Sequence, residues 1–411
     1  MSLELPQHSA HPFFEVAADT LLVDGRPLTD IVSAAGQTPL YIYSRRYMSD
    51  RVAALRAALP RELHLHYAMK ANPMPDVVRH FAQLVDGIDV ASGRELDVAL
   101  AAGAAPATIS FAGPGKSLAE LRQAVRAGIV INVESETELA RLATIATETG
   151  ARPRIAIRVN PDFELKTSGM KMSGGPKQFG IDAERVPDVL ASLRGGNLEF
   201  VGFHIFSGSQ NLRAEAIIEA QQKAVQLASE LAQSAAAPVR ILNIGGGFGI
   251  PYFPGERPLD IAPIATHLAA LVPRARALLP EAQLVIELGR YLVGEAGLYV
   301  CRVTDRKISR GSVFLITDGG LHHHLSASGN FGQVLRKNYP VVVGNRVRGT
   351  ARETASVVGP LCTPLDLLAD RADLARADIG DLIVVLQSGA YGRSASPLGF
   401  LSHPEPGEVL V

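Results

Sequence analysis

Lys70 interrupts the run ELHLHYAMKANP just where an apolar-alternating stretch, Leu63 to Ala68, gives way to Ala71, Asn72 and Pro73. A half-buried amine at a strand end has a depressed pKa, and the neutral amine is the nucleophile that condenses with an aldehyde. A lysine there is also a common solvated rim residue, so its meaning depends on its company. NIGGGFG (243–249) supplies Gly245, Gly246 and Gly247, whose N–H groups let a phosphate approach closely or which simply serve a tight turn needing positive φ. Glu287, in QLVIELGRY, can hydrogen-bond a protonated ring nitrogen, or pair structurally with Arg290 or Arg158. His204, in GFHIFSGSQ, can lie against a ring face or fill the core. Cys362 lies in the turn GPLCTPLD and could deliver a proton; the blander fate of a free cysteine, a small buried hydrophobe, is the reading for Cys301. Tyr391, in SGAYG, could reach a phosphate or a substrate, or serve as an interface aromatic.

The elements that must position these groups are legible as alternation. Eight β-rich runs, 63–68, 87–90, 108–112, 129–133, 154–159, 199–205, 240–245 and 283–288, alternate with helical patterns such as SGRELDVALAAG and SLAELRQAVRAG. Eight strand-helix units imply an α/β fold with a (β/α)8 barrel, whose active site is built at the C-terminal ends of the strands. Those ends carry Lys70, Asp89 with Ser92, the AGPGKS turn, Asn132 with Glu134, Arg158 with Asn160, His204, Gly245 to Gly247, and Glu287 with Arg290. That set suits a phosphorylated cofactor with an ionisable ring. After residue 291 consecutive β-type runs follow, so a mostly antiparallel β domain is expected over 291–411. A β segment in 1–45 can join it, leaving 46–290 as the barrel. The Gly-rich span TSGMKMSGGPKQFG (167–180) reads as a surface loop or an active-site lid.

Composition excludes several function classes. The 411 residues carry a net charge of -1, with Lys and Arg scattered, which argues against nucleic acid or a membrane surface as partner. Nowhere do about 18 apolar residues run uninterrupted, and the N-terminus lacks a basic start followed by an apolar core, so a soluble cytoplasmic protein is expected. Two cysteines in so long a chain form no disulfide framework. GPGKS (113–117) lacks the first glycine of a nucleotide P-loop, Ser110 standing there. His322, His323 and His324 invite a metal, but successive residues should point in different directions and no ligand spacing accompanies them, so none is expected.

Taken in order, YAMKANP, DVASGREL, the histidine of GFHIFSGSQ, GGGFG, ELGRY, GPLC and SGAYG resemble the fold-type III pyridoxal-phosphate decarboxylases, the group of the diaminopimelate, ornithine and arginine decarboxylases. The resemblance spans nearly the whole chain. It implies pyridoxal 5'-phosphate held as a Schiff base by Lys70, with Glu287 on the pyridine nitrogen, His204 stacked on the ring, and Asp89 and Arg158 among the cofactor's surroundings. It assigns the phosphate to Gly245, Gly246, Gly247, Arg290 and Tyr391. It also implies a homodimer in which Cys362 comes from the partner subunit as the proton donor. Thr363, Asp366 and Tyr391 would then face the substrate.

The departures from the family pattern are informative. Ornithine and diaminopimelate enzymes place Asp or Glu after this cysteine to bind a distal ammonium, and here Thr363 stands instead. The Arg and Tyr that diaminopimelate enzymes carry after the DAG turn are absent from DGGLHHHLSASGNFG. The family's EPGR is ELGR, and its HIGSQ is lengthened to HIFSGSQ, leaving either Ser207 or Ser209 for the phosphate. GPLCTPLDLLAD and the tail FLSHPEPGEVLV look more like a specialised-metabolism branch, which includes a decarboxylase of a glutamyl unit on an acyl carrier protein and decarboxylases of exosortase gene clusters. The expected activity is decarboxylation of an amino acid or a derivative, carrier-bound in one version. Diaminopimelate decarboxylase proper, an alanine-racemase-like enzyme and a non-catalytic cofactor-binding homologue stand as alternatives.

Overall fold

The computed structural model describes residues 7–9, 14–163, 170–171, 174–333 and 335–411. Much of the glycine-rich span, and with it the lid reading, lies outside the described residues. The chain divides into two compact units, one of residues 52–249 and 259–289, the other of 1–51, 250–258 and 290–411.

The first unit is a closed parallel barrel of eight strands: β1 (His64–Ala68), β2 (Gly87–Val90), β3 (Ile109–Phe111), β4 (Val130–Val133), β5 (Arg154–Asn160), β6 (Glu199–His204), β7 (Ile241–Gly246) and β8 (Gln283–Leu288). Each pairs in parallel with its neighbours, and β8 closes on β1 with Glu287 opposite His66. Three successive strand-to-helix turns end in a serine that caps the next helix. Ser92, Ser117 and Ser135 accept from the backbone N–H of Glu95, Glu120 and Glu138, and Ser117 with Glu120 forms a capping box. Each cap stabilises its helix by about 1 kcal/mol and fixes where the turn at the rim ends.

The barrel interior departs from the usual filling of branched apolar side chains. His66, Ser110, Asn132 and Asn243 occupy inward positions, and with Ala156 in the same region they leave a cavity of about 220 Å³ towards the strand starts.

In the second unit the strand Leu40–Tyr43 lies between Gly297–Ser309, antiparallel to it, and Gly407–Leu410, parallel to it. The sheet continues through Ser312–Thr317, Arg352–Val358 and Leu367–Ala375 on one side and Leu382–Val385 and Val341–Val343 on the other. Its pairings are antiparallel except for two. Leu28, Ile31, Leu40, Leu298, Val300 and Val384 pack into a core beneath it; burying each contributes on the order of 1.5–3 kcal/mol. The architecture is the barrel plus mostly antiparallel β domain expected from the sequence. Among the described residues no helix is long and apolar enough to cross a membrane.

Candidate active site

Lys70 stands two residues beyond β1, in the single 3-10 turn Met69–Ala71. The chain leaves the ladder at Ala68, so the side chain is exposed rather than half-buried as the strand-end pattern suggests. Its amine lies 5.7 Å from the centre of the Phe206 ring. Glu95 shares its field: burial raises this carboxyl, while the Ala91 N–H it accepts at 2.6 Å and the charge of Lys70 pull it partly back.

Glu287, 6% exposed near the end of β8, accepts from the Asn243 amide at 3.0 Å. The His204 Nε2 also lies 3.0 Å from the same oxygen, yet neither ring nitrogen of this buried histidine makes an aligned hydrogen bond. Burial by itself would raise the Glu287 carboxyl. The His204 ring beside it, then the charges of Lys70 and Arg158, hold it well below the usual carboxylate range. The pairing with Arg158 or Arg290 considered from sequence does not form: Arg158 bonds Glu134 at 2.7 Å.

The turn after β7 is a backbone cradle. Gly245 and Gly247 adopt φ of 70° and 75°, the left-handed region that favours glycine. A Cβ on Gly246 would strike the Glu287 carbonyl, and one on Gly247 the Gly208 carbonyl. Asn243 sets the turn by accepting the Gly245 N–H at 2.8 Å while holding Glu287. Asn211 ties the loops after β6 and β7 together through Gly247 O and Gly249 N–H, each at 2.9 Å. In that first loop the Ser209 hydroxyl is buried without a hydrogen-bond partner, and Ser207 is buried beside it.

Asp89 is buried on β2, where one oxygen meets His66 Nδ1 at 3.0 Å and the Ser110 hydroxyl at 2.6 Å, while the other has no partner. Lys116, in the turn that echoes a P-loop, does not point at a phosphate. It is buried, donating to Gly113 O, Asn132 O and Glu138 Oε1, each at 2.8 Å.

In the second unit Arg290 donates to the Tyr252 hydroxyl at 2.9 Å, and its guanidinium lies 4.7 Å from the centre of the Tyr391 ring. Tyr391 itself adopts φ of 54°. Cys362 is exposed in its turn; Cys301 is fully buried, as read from the sequence. Asp366, four residues on from Cys362, accepts the Leu321 N–H at 2.6 Å and the Leu361 N–H at 2.8 Å, packed where only Gly320 and Gly359 leave room. The histidine run is packing. The rings of His322 and His323 lie 3.7 Å apart rather than diverging, because the turn brings both into the same buried space. His324 turns to Ser388 at 2.9 Å, and burial lowers it to about 3, which keeps it neutral.

Sequence reasoning passed over Glu95, Asn243 and His66. For His66 and Asn243 the signal was present, a polar residue at an inward strand position where a barrel ordinarily places Val, Ile or Leu; Glu95 lies in the first turn of the helix Gly93–Ala101.

Residues 45–294 match the family model described as the pyridoxal-binding domain of pyridoxal-dependent decarboxylases. The chain belongs to that family. It is 38% identical over 380 residues, 91% of this chain and 89% of the relative, to the L-glutamyl-[BtrI acyl-carrier protein] decarboxylase of Niallia circulans. It is 34% identical over 409 residues, 98% and 93% of the two chains, to the diaminopimelate decarboxylase of Aquifex aeolicus. The crystal structure of the diaminopimelate decarboxylase of M. jannaschii in complex with L-lysine superposes with a TM-score of 0.88 at 26% identity, covering 98% of this chain and 93% of that one. This decarboxylase uses pyridoxal phosphate and releases the carboxylate of an amino acid or amino-acid derivative as CO2. The barrel residues fit that group. The orphaned Ser209 hydroxyl, the glycine cradle that any Cβ would fill and the unaligned His204 ring are groups a phosphorylated ring would satisfy.

Proposed function

We propose that the substrate is an amino-acid derivative whose distal end carries no free ammonium, such as an aminoacyl unit linked to an acyl carrier protein. One observation carries this reading. The residue after Cys362 is Thr363, and Asp366, the carboxylate within the same turn, has both oxygens bonded to backbone N–H groups and is 3% exposed. A buried carboxylate already holding two donors braces a turn and has little left for a distal cation. The substrate-binding role anticipated for Asp366 therefore passes to Thr363, with a neutral hydroxyl, and Tyr391. The similarity to a decarboxylase of a carrier-bound glutamyl unit supports the same choice.

The proposed roles follow from the groups themselves. Lys70 supplies the amine that anchors the cofactor and then holds or returns a proton at Nζ. Glu287, kept ionised by its neighbours, accepts from the ring nitrogen, and His204 covers a ring face. Gly245, Gly246, Gly247 and Ser209 hold the phosphate, a role that the family resemblance extends to Arg290 and Tyr391; between the two serines, the orphaned hydroxyl favours Ser209 over Ser207. Arg158 is bonded to Glu134 and Asp89 to His66 and Ser110, so both support the site from beneath. Bound pyridoxal phosphate supplies an electron sink for the pair left when the carboxylate departs as CO2. Cys362, contributed by the partner subunit of a homodimer, returns a proton to the substrate carbon that lost the carboxylate.

A mass-spectrometric screen of free basic, free acidic and carrier-tethered amino acids tests the substrate. Turnover of a tethered or amide-capped substrate well above that of free meso-diaminopimelate is the expected result. Efficient CO2 release from free meso-diaminopimelate, with none from tethered substrates, would overturn the reading.

A further inference from the structure

Beneath the rim, the barrel holds a mostly buried histidine that the chemistry above does not use. His66 on β1 is the register partner of Glu287 on β8 and of Gly87 on β2. Its ring runs over Gly87, where any Cβ would collide with it, and its Nδ1 reaches Asp89. A titratable ring thus stands between two buried carboxylates, 6% exposed each, on the strands either side of it.

We propose that His66 is a positioning residue for Glu287: set between Asp89 and Glu287, its imidazolium offsets the repulsion of the one carboxylate on the other, so that Glu287 stays able to hold a protonated ring nitrogen. Two buried like charges favour uptake of a proton by one of them; the His204, Lys70 and Arg158 charges oppose this at Glu287, and His66 adds to them from the strand alongside. Were Glu287 to take up the proton, it would lose its grip on a cationic ring. The remaining groups facing His66 leave it this role. Asp86 is held by Arg56 at 2.6 Å and by the Leu65 N–H at 2.7 Å, and His64, on the same strand, is lowered by burial. Ser110, Asn132 and Asn243 are neutral. Burial disfavours the charged form of His66, yet Asp89 at hydrogen-bond distance and Glu287 beyond it more than offset this, and its proton affinity is raised.

Protons reach His66 from the end of the barrel opposite Lys70. The cavity of about 220 Å³ lies beneath it, lined at its mouth by the exposed Thr108 and Gln283. At about 30 Å³ per molecule it has room for several waters. The ring can therefore titrate whatever occupies the site above.

The sign of the pH dependence follows. A raised proton affinity means that the imidazolium contributes fully below its unfolded value of about 6.5 and is lost as pH rises through its folded value. His66→Asn keeps a donor for Asp89 without the charge. Dissociation of pyridoxal phosphate from purified holoenzyme, followed by absorbance and compared with wild type at each pH, should be about tenfold easier in this variant near pH 6, the two converging near pH 9. His66→Asn/Asp89→Asn removes the second carboxylate as well and should return to within about threefold of wild type, a rescue that loss of packing would not give. Equal retention by His66→Asn and wild type, a deficit independent of pH, or a double variant no better than the single would overturn the proposal. Should His66→Asn fail to fold, the double variant decides: folded and cofactor-retaining supports it, unfolded overturns it. The inference rests on Glu287 facing the ring nitrogen. Thermal unfolding of the cofactor-free proteins across the same pH range reads the charge arrangement without the cofactor, so a failure there belongs to His66 and one confined to the holoenzyme belongs to Glu287.

Discussion

The rim of the barrel and the turn around Asp366 are both built from buried polar groups, and they differ in whether the hydrogen bonding is finished. Around Asp366 each carboxylate oxygen has a backbone partner and two glycines close the space. At the barrel rim His204 and Ser209 are buried without aligned partners, as is one oxygen of Asp89 just beneath them. Leaving a buried polar group unpaired costs about 1–3 kcal/mol, so a cluster of such groups marks a place where a ligand completes the set. The finished turn is scaffold, and the unfinished rim is a site.

The comparison can be broken from either side. Lys70→Ala should abolish turnover and remove the absorbance near about 420 nm expected of a Schiff-base cofactor; a band that survives would remove Lys70 from the rim. Glu287→Gln should lower kcat on the order of 10²-fold, the scale of losing one electrostatic contact to the reacting group, measured on cofactor-saturated protein. Lys116→Met tests scaffold. It strands the buried Glu138 and should destabilise the fold by about 3–5 kcal/mol, read by thermal or denaturant unfolding, with the visible band of the folded fraction unchanged. Asp366→Asn should cost about 1–3 kcal/mol and leave cofactor affinity alone; a change in substrate preference with no loss of stability would return Asp366 to the site. The smallest effect is the sharpest. Ser209→Ala should weaken cofactor binding about fivefold, about 1 kcal/mol for one hydrogen bond, and more than Ser207→Ala does, as read by titration with pyridoxal phosphate.

The rim also has a pH signature of its own. The Glu287 carboxyl lies below its unfolded value, so its contribution to stability is present above about pH 4.3 and is lost as pH falls through the folded value. Glu287→Gln should flatten the acid side of the stability profile of the cofactor-free protein, measured by thermal unfolding.

Strands were legible because short β-rich runs such as GIDV and QLVIEL alternate with helical patterns, and each of the eight begins within one residue of its sequence position. Ligand-facing groups at strand ends, Lys70 and Glu287 among them, were legible because barrel architecture says where to look. Three things were not. The exposure of Lys70 depends on the chain leaving the ladder two residues early. The burial of Lys116 depends on Glu138, which lies 22 residues away and meets it only once two neighbouring turns have folded. Asp366 looked available because the partners of its oxygens, Leu321 and Leu361, contribute only backbone, which no side-chain pattern records.

The strand Leu40–Tyr43 also sets an order of events during synthesis. Tyr43 bonds Glu408 across 365 residues of sequence, and both flanking strands of Leu40–Tyr43 follow the entire barrel. At roughly 5–20 residues per second on the ribosome, this early strand waits on the order of half a minute for its neighbours. Until then its edges are unpaired and its apolar side chains uncovered. The barrel, whose strands all pair within residues 64–288, can close in the meantime. Early truncations should therefore leave a folded barrel trailing an adhesive N-terminal segment, a liability for ribosome-associated chaperones to manage.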